Sequence, residues 1–381
     1  MIIATDNVRC MRLTRAEIDV RALRNNFDGI RKKVGPNVKI MGIVKANGYG
    51  HGIYEISKAL VTFGVDYLGV GFLEEGIILR NQGIKNSILV LGGVLGKQIR
   101  QFLEHELEIT VSSIELAERI EHEIQSKGDG KARVHLKIDT GMERIGVRAT
   151  NAVQFIEKVC RLKHLEVKGI YSHFATSDEK DKSFAIQQLE RFTTVLQDID
   201  KLGIDIPLKH IANSGAVLDM PDSHFSMVRP GIMMYGIYPS RETTESVSLK
   251  PVLSLKSEVV FIKEVPAATS ISYGRKYFTS SKTKIVTVPI GYGDGYSRRL
   301  TNKAKVLIKG KKYPAVGTVC MDQFMVDVGL DSDIHVGDEV VLIGNDGGES
   351  ISVWEIADML GTIPYEVCTG IAARVPRVTV N

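Results

Sequence analysis

Cysteine is scarce and scattered: Cys10, Cys160, Cys320 and Cys368 are the only four in 381 residues. No two form a CxxC pair and none shows metal-ligand spacing. This excludes a disulfide framework or a zinc module and fits reduced thiols in a cytoplasmic protein. No apolar run approaches the roughly eighteen residues of a membrane span. The opening MIIATDNVRCMRL carries charge before any apolar segment can form, which argues against a signal peptide. A dense basic block is also missing. The 49 basic and 45 acidic residues are spread along the chain, and a net charge of +4 without a patch makes nucleic acid a poor partner.

What is present is globular. A hydrophobic content of 44% and a charged content of 25% support a sizeable core. The length favours two domains, or one barrel with an appendage.

From residue 38 onward, short β-rich runs alternate with longer helical patterns. The runs are 38–44, 67–70, 87–91, 109–111, 133–138, 167–171, 208–211 and 227–235. Between them, segments such as 114–125, 152–162 and 184–202 repeat apolar residues at helical spacing. Such alternation implies parallel strands, and eight repeats close a (β/α)8 TIM-type barrel. After Pro239 the rhythm becomes strand after strand (253–265, 285–289, 305–308, 325–328, 339–343) with one helix at 353–360, a second, mainly β C-terminal domain. The polar segment RETTESVSLKP marks the boundary. Residues 17–246 are assigned to the barrel, and 247–381, joined by residues 1–16, to the β domain.

In a barrel of this type the chemistry sits at the C-terminal ends of the strands, with phosphate often held after strands 7 and 8. Lys45 stands there in IVKANGYGHG, and Lys137 leads to Asp139, Thr140 and Arg144 in LKIDTGMERIG. His173 follows in YSHFAT, Asn213 and Ser214 in HIANSGA, and Arg229, Gly231 and Ile232 in VRPGIMMYG. Each has a plain reading alone: Lys45 as a solvated strand-end lysine, NGYGHG as a turn before a helix, and Ser214 as an N-cap. His173 alone is a satisfied histidine, and Arg229-Pro230-Gly231 a strand terminator. Each also has a functional reading. A desolvated lysine of lowered pKa forms Schiff bases, and a hydroxyl beside free amides suits an anion. Their convergence on one mouth favours a site.

At these residues the sequence resembles alanine racemases, whose cofactor lysine lies in a VKANxYGHG stretch that residues 44–52 match. The likeness extends through LKIDTGMERIG, YSHFATSDE, HIANSGA, VRPGIMMYG, ISYGRKY, GYGDGYSRR, VGTVCMDQFMVDV and the terminal RVPR. It implies a pyridoxal 5′-phosphate (PLP) isomerase, a homodimer in which each barrel meets the partner's β domain. Carried over by position, Lys45 would hold the cofactor aldehyde, and Tyr273 would enter from the other subunit. Tyr49, Ser214 and the amides of Gly231 and Ile232 would hold phosphate. Arg229 would face the pyridine nitrogen, Arg144 and the Met321 amide the substrate carboxylate, with His173 beside the cofactor. Lys137 matches a lysine that is carbamylated in some members. In a bacterium the resemblance implies supply of D-alanine for the cell wall.

Racemisation needs an acid–base group on each face of the substrate, here Lys45 and Tyr273, since a single group returns the proton to its original side. A phenol ordinarily titrates about three units above neutral, and Arg144 and His173 would bring it lower. An arginine at the pyridine nitrogen should discourage protonation there and suppress transamination. Basic amino-acid decarboxylases of similar architecture prefer an acidic partner at that nitrogen, and non-catalytic PLP carriers generally lack the second domain. A phosphate-binding aldolase is the reading without PLP. Some family members have a tyrosine just before RVPR; here it is Ala373, which implies a roomier pocket and better use of serine. For Cys320 a packing role and a site role are equally open.

Overall fold

The computed structural model describes residues 12–126 and 130–380. Cys10 and the rest of the segment up to residue 11 lie outside the described residues. The chain divides into two compact units. One comprises Arg21–Gly48 and Ile53–Lys250; the other takes the described residues up to Val20, Tyr49–Gly52 and the chain from Pro251.

The first unit is a nearly closed barrel of eight parallel strands: β1 (Lys39–Ile43), β2 (Tyr67–Val70), β3 (Ser87–Val90), β4 (Glu108–Val111), β5 (Ala132–Asp139), β6 (Leu165–Tyr171), β7 (Leu208–His210) and β8 (Met227–Val228). Helices fill the connections, as expected for parallel neighbours. Met227 pairs with Lys39, so β8 returns beside β1. Two backbone bonds draw β7 and β8 together: Arg229 N–H to the Ala212 carbonyl at 2.9 Å and Ser226 N–H to the Lys209 carbonyl at 3.2 Å. Most strand positions are buried on both faces, which is why these strands read as apolar runs without alternation. The helix Ile114–Gln125 begins where Ser113 accepts the Leu116 N–H at 3.2 Å.

Run 227–235 departs from expectation: only Met227 and Val228 pair, and Ile232–Tyr235 is a 3-10 turn. Pro230 has no N–H for a ladder, and four buried residues in a row look alike in a strand or a turn. Lys45 lies two residues beyond the end of β1.

The second unit is a ten-stranded sheet. The path runs Phe261–Val265, Thr283–Val288, Phe324–Asp327, Lys311–Val316, Lys305–Ile308, Glu339–Asp346, Leu253–Glu258, Arg15–Asp19 and Arg377–Val380, with Glu349–Ile351 on Glu339–Asp346. Its helix Val353–Leu360 is capped by Ser352 and ends at Gly361, where φ is 67°. The run 253–265 is two strands. Leu253–Glu258 pairs with Glu339–Asp346 and Phe261–Val265 with Thr283–Val288. Leu253–Glu258 alternates in burial and Phe261–Val265 does not, but the apolar residues 259–262 run across the break and hide it in the sequence.

Candidate active site

The backbone after β1 turns left-handed. Ala46, Asn47, Gly48 and Tyr49 have φ of 53°, 55°, 60° and 51°. Three of them carry a Cβ that disfavours this region, so surrounding contacts must hold the turn. Glu75 is one: Oε1 accepts the Ala46 N–H at 2.6 Å, and Oε2 accepts the N–H groups of Gly71 at 2.7 Å and Phe72 at 3.2 Å. Asn47 is another, its Oδ1 accepting the Ile53 N–H at 2.9 Å. Lys45 heads this turn, partly buried. Burial lowers its pKa; Arg144 and Arg229 add to the effect and Glu75 opposes it.

Arg229 is the most heavily bonded cation of the mouth. Its Nη1 donates to His210 Nδ1 at 2.9 Å. Its Nη2 serves the carbonyls of Ser172 at 2.7 Å and Ile211 at 3.1 Å, and His173 Nδ1 at 3.1 Å. Burial brings the guanidinium down to about 10. His173 is held well below its ordinary value by burial and by Arg229, Arg144, Lys137 and Lys45, and so stays neutral. Lys137 is buried, donates to the Ile138 carbonyl at 2.9 Å and is drawn down to about 7 by burial and then Arg229, with Asp139 opposing. Arg144 is exposed on the loop after β5. Lys45, Lys137, Arg144, His173 and Arg229 therefore share one electrostatic neighbourhood, as the strand-end argument expects.

Ser214 is buried, and its hydroxyl accepts the Gly231 N–H at 2.9 Å. The N-cap of its helix is Asn213, whose Oδ1 accepts the Ala216 N–H at 3.1 Å. Capping is thus assigned elsewhere, and the Ser214 hydroxyl keeps its proton for a further acceptor. Ile232 opens the 3-10 turn, where the first N–H groups have no intrahelical acceptor.

The remaining candidates belong to the second unit. Tyr49 is buried, its ring 6.0 Å from that of Tyr365. The next residue, Gly50, has φ of 84°, and a Cβ there would come within 2.0 Å of the Cys368 carbonyl. Tyr273 is 71% exposed and Met321 54% exposed. The turn bearing Tyr273 is tied to the segment just before Met321. Thr318 donates to the Tyr273 carbonyl at 2.7 Å, Ser272 donates to the Thr318 carbonyl at 2.6 Å, and Cys320 Sγ lies 3.4 Å from Ser272 Oγ. Cys320 therefore supports the turn. Asp294 of GYGDGYSRR receives Arg12, Arg374 Nε at 2.7 Å and the Gly291 N–H at 2.9 Å. Arg374 Nη2 also reaches Asp322 at 2.8 Å, so the Met321 loop is braced by the RVPR segment.

Sequence reasoning missed Glu75, whose signal was its place as the third residue of the helix Leu73–Asn81. It also missed Glu108, His135 and His210, fully buried polar residues on β4, β5 and β7 whose partners lie on other strands. Among the described residues no cluster suits a metal ion, and no helix is long and apolar enough to cross a membrane.

A family model described as the alanine racemase N-terminal domain matches residues 18–239, and one described as the alanine racemase C-terminal domain matches residues 252–379. An alanine racemase of Halothermothrix orenii is 47% identical over 371 residues, 97% of this chain and 98% of that protein. The solved alanine racemase of Clostridium difficile 630 matches with a TM-score of 0.92 at 42% identity, over 97% of this chain and 96% of the other. A histidine racemase from Leuconostoc mesenteroides matches with a TM-score of 0.90 at 28% identity, over 97% and 99%. With barrel and β domain both matched in chain order, the chain belongs to the alanine racemase family.

Proposed function

We propose that the protein interconverts L- and D-alanine with PLP held by Lys45, in a cytoplasmic homodimer whose β domains, residues 247–381 with 1–16, each supply Tyr273 to the partner's barrel. The observation that carries the reading is a lysine of lowered pKa at a barrel mouth shared with Arg229 and the Ser214–Gly231 pair. The donor set fits the cofactor. Ser214 has a hydroxyl proton to give and Ile232 an N–H at the start of a turn, for a phosphate. Arg229 spends its two terminal nitrogens on protein acceptors, which leaves Nε–H for an aromatic nitrogen.

PLP, when bound, supplies the electron sink that makes the substrate's Cα proton removable. The chain does the rest. The lowered pKa of Lys45 favours the neutral amine, which can bond an aldehyde and, once displaced, can hold a proton at Nζ on one face of the substrate. Tyr273 of the partner subunit holds the proton at Oη on the opposite face, so removal on one side is followed by return on the other. Its strong exposure on a braced turn suits a group that completes another subunit's site. Arg144 and the Met321 amide orient the substrate carboxylate. His173, kept neutral by burial and then by its cationic neighbours, contributes to the mouth by hydrogen bonding rather than by charge.

A chiral product assay across a panel of L-amino acids tests the reading. The expected result is D-alanine from L-alanine, with a lesser product from serine, whose use Ala373 favours. Borohydride treatment should fix one pyridoxyl group on Lys45. A protein that takes up no PLP, or takes it up without exchanging the Cα proton of alanine in deuterated water, defeats the reading.

A further inference from the structure

The barrel interior carries a buried polar chain that the reaction does not use. Glu108 on β4, His135 on β5 and His210 on β7 are all fully buried. Glu108 Oε2 is 2.8 Å from His135 Nε2, His135 Nδ1 is 3.0 Å from His210 Nε2, and His210 Nδ1 is 2.9 Å from Arg229 Nη1. The four groups run unbroken from the barrel core to the mouth.

Only one arrangement of protons satisfies this chain. A guanidinium only donates, so His210 Nδ1 must be bare. Neutral His210 then carries its proton on Nε2 and donates it to His135 Nδ1. His135 in turn carries its proton on Nε2 and gives it to Glu108, whose ionised carboxylate only accepts. Any other placement sets two donors, or two bare nitrogens, against each other in a buried site where neither can turn to water.

Three further observations show that the strands are built around this chain. A Cβ on Gly169 of β6 would lie 2.3 Å from His135 Nδ1, so the ring occupies the space a side chain would need. The His210 ring stacks on Tyr171 at 4.8 Å with 3° between planes, and Tyr171 is fixed by Thr110 at 2.8 Å. Glu108 Oε1 makes no close hydrogen bond, with Arg133 at 4.0 Å; burial works against the ionised carboxylate, and His135, then Ser87 and Arg133, outweigh it. A fully buried carboxylate with one weakly satisfied oxygen is a cost to the fold, and in return it anchors the chain that ends on Arg229.

We propose that Glu108 is a positioning residue for Arg229, acting through His135 and His210 to fix one tautomer of each ring and thereby the direction in which the guanidinium faces the cofactor. The inference rests on the reading of Arg229 as the residue at the cofactor's ring nitrogen. Replacing Glu108 by leucine removes the terminal acceptor. His135 is then left with a stranded Nε2–H, and moving that proton to Nδ1 would force His210 to carry its own on Nδ1 against Arg229, so the chain is satisfied in neither direction and no longer fixes one tautomer. Glutamine keeps an accepting oxygen and so keeps the direction of the chain, without the charge.

Holoenzyme labelled with nitrogen-15 histidine decides the matter by ring-nitrogen NMR. In the wild type, His135 and His210 should both be neutral with the proton on Nε2; a proton on Nδ1 of either ring overturns the inference. Glu108→Leu should lose the uniform Nε2–H form at His135 or His210 and lower kcat about tenfold or more, the scale on which outer-shell partners act elsewhere, with KM for alanine changed far less. Glu108→Gln should retain the wild-type tautomers and lose less kcat than the leucine variant. A folded Glu108→Leu protein with wild-type tautomers and kcat overturns the inference, and if that variant does not fold, the wild-type spectrum decides. Borohydride fixation on Lys45 in the wild type reports on the PLP reading separately, because the tautomers are observed whether or not that adduct forms.

Discussion

The backbone N–H of Gly231 is received by the hydroxyl of Ser214 at 2.9 Å, which ties the turn after β8 to the helix after β7. Ser214 is thus oriented by a donor from the next strand, while Asn213 performs the capping. The two neighbours should separate in experiment. Ser214→Ala removes one hydroxyl from the proposed phosphate cradle and should weaken PLP retention about tenfold, as expected for a hydrogen bond to a charged group. Asn213→Ala should cost about 1 kcal/mol of stability as a lost cap and leave retention as it was. Reconstitution of apoprotein with PLP, followed by absorbance, and urea unfolding of both variants check this; equal effects on retention would remove Ser214 from the cradle.

Lys137 is predicted to take up carbon dioxide. Burial and Arg229 bring its amine down to about 7, so a large neutral fraction exists at physiological pH to attack the carbon, releasing a proton as the carbamate forms. Arg229 and Arg144, which disfavour the ammonium, favour the resulting anion. Protein equilibrated with carbon-13 bicarbonate should show a carbamate resonance that disappears in Lys137→Met. Persistence of the signal in that variant assigns it elsewhere.

The same lysine sets a pH dependence of stability. Its folded-state pKa lies below its ordinary 10.5. The unfolded chain therefore binds more protons between about pH 7 and 10.5, and stability rises with pH across that window. Thermal unfolding of wild type and Lys137→Met in carbon-dioxide-free buffer should show a wild-type Tm that gains on the variant from pH 7 to 9. A constant difference would mean that the amine is not held below its ordinary pKa.

Gly291 is required for space rather than for backbone freedom. Its φ of −152° is open to any residue, but a Cβ would lie 2.2 Å from the Cys320 carbonyl and 2.4 Å from that of Met321. Gly291→Ala must push back the loop whose Met321 amide is proposed to meet the substrate carboxylate. The expected result is a rise in KM for alanine of about tenfold or more, since small misplacements in positioning groups are strongly felt, with PLP retained. An unchanged KM in folded Gly291→Ala protein excludes Met321 from substrate binding.

Much of this was legible in the chain because the barrel repeats itself. All eight β-rich runs hold a strand, seven with ends matched to within a residue or two, since parallel strands announce themselves as short apolar segments between helical ones. The eighth failed where Pro230 and Gly231 stop the ladder but hydrophobicity continues to Tyr235. The candidate residues of the barrel mouth could be picked out because strand ends are a fixed address in this fold. Glu75, Glu108, His135 and His210 could not, because their roles arise from partners 19 to 75 residues away. A buried glutamate or histidine within a strand differs from its neighbours in sequence, but only the closed barrel shows what it faces. The left-handed turn after Lys45 was likewise half visible: its glycines were plain, whereas Ala46, Asn47 and Tyr49 adopt the same backbone with no local cue.

Ala373 offers the sharpest test of substrate preference. It is exposed, and the backbone around it is pinned on both sides: the Ala372 N–H donates to the Asp294 carbonyl at 2.9 Å, and Arg374 pairs with Asp294 and Asp322. Ala373→Tyr should therefore change the side chain without moving the segment. If the missing phenol is what leaves room for a hydroxymethyl group, the ratio of kcat/KM for serine to that for alanine should fall on the order of tenfold, the scale of discrimination set by one small group in a pocket. PLP retention should rise modestly, since a neutral hydrogen bond to phosphate contributes about 1 kcal/mol. Chiral assays with both amino acids on wild type and variant measure the ratio directly. A ratio that does not move would show that serine is limited by some other wall of the site and that the tyrosine of related enzymes serves the phosphate alone.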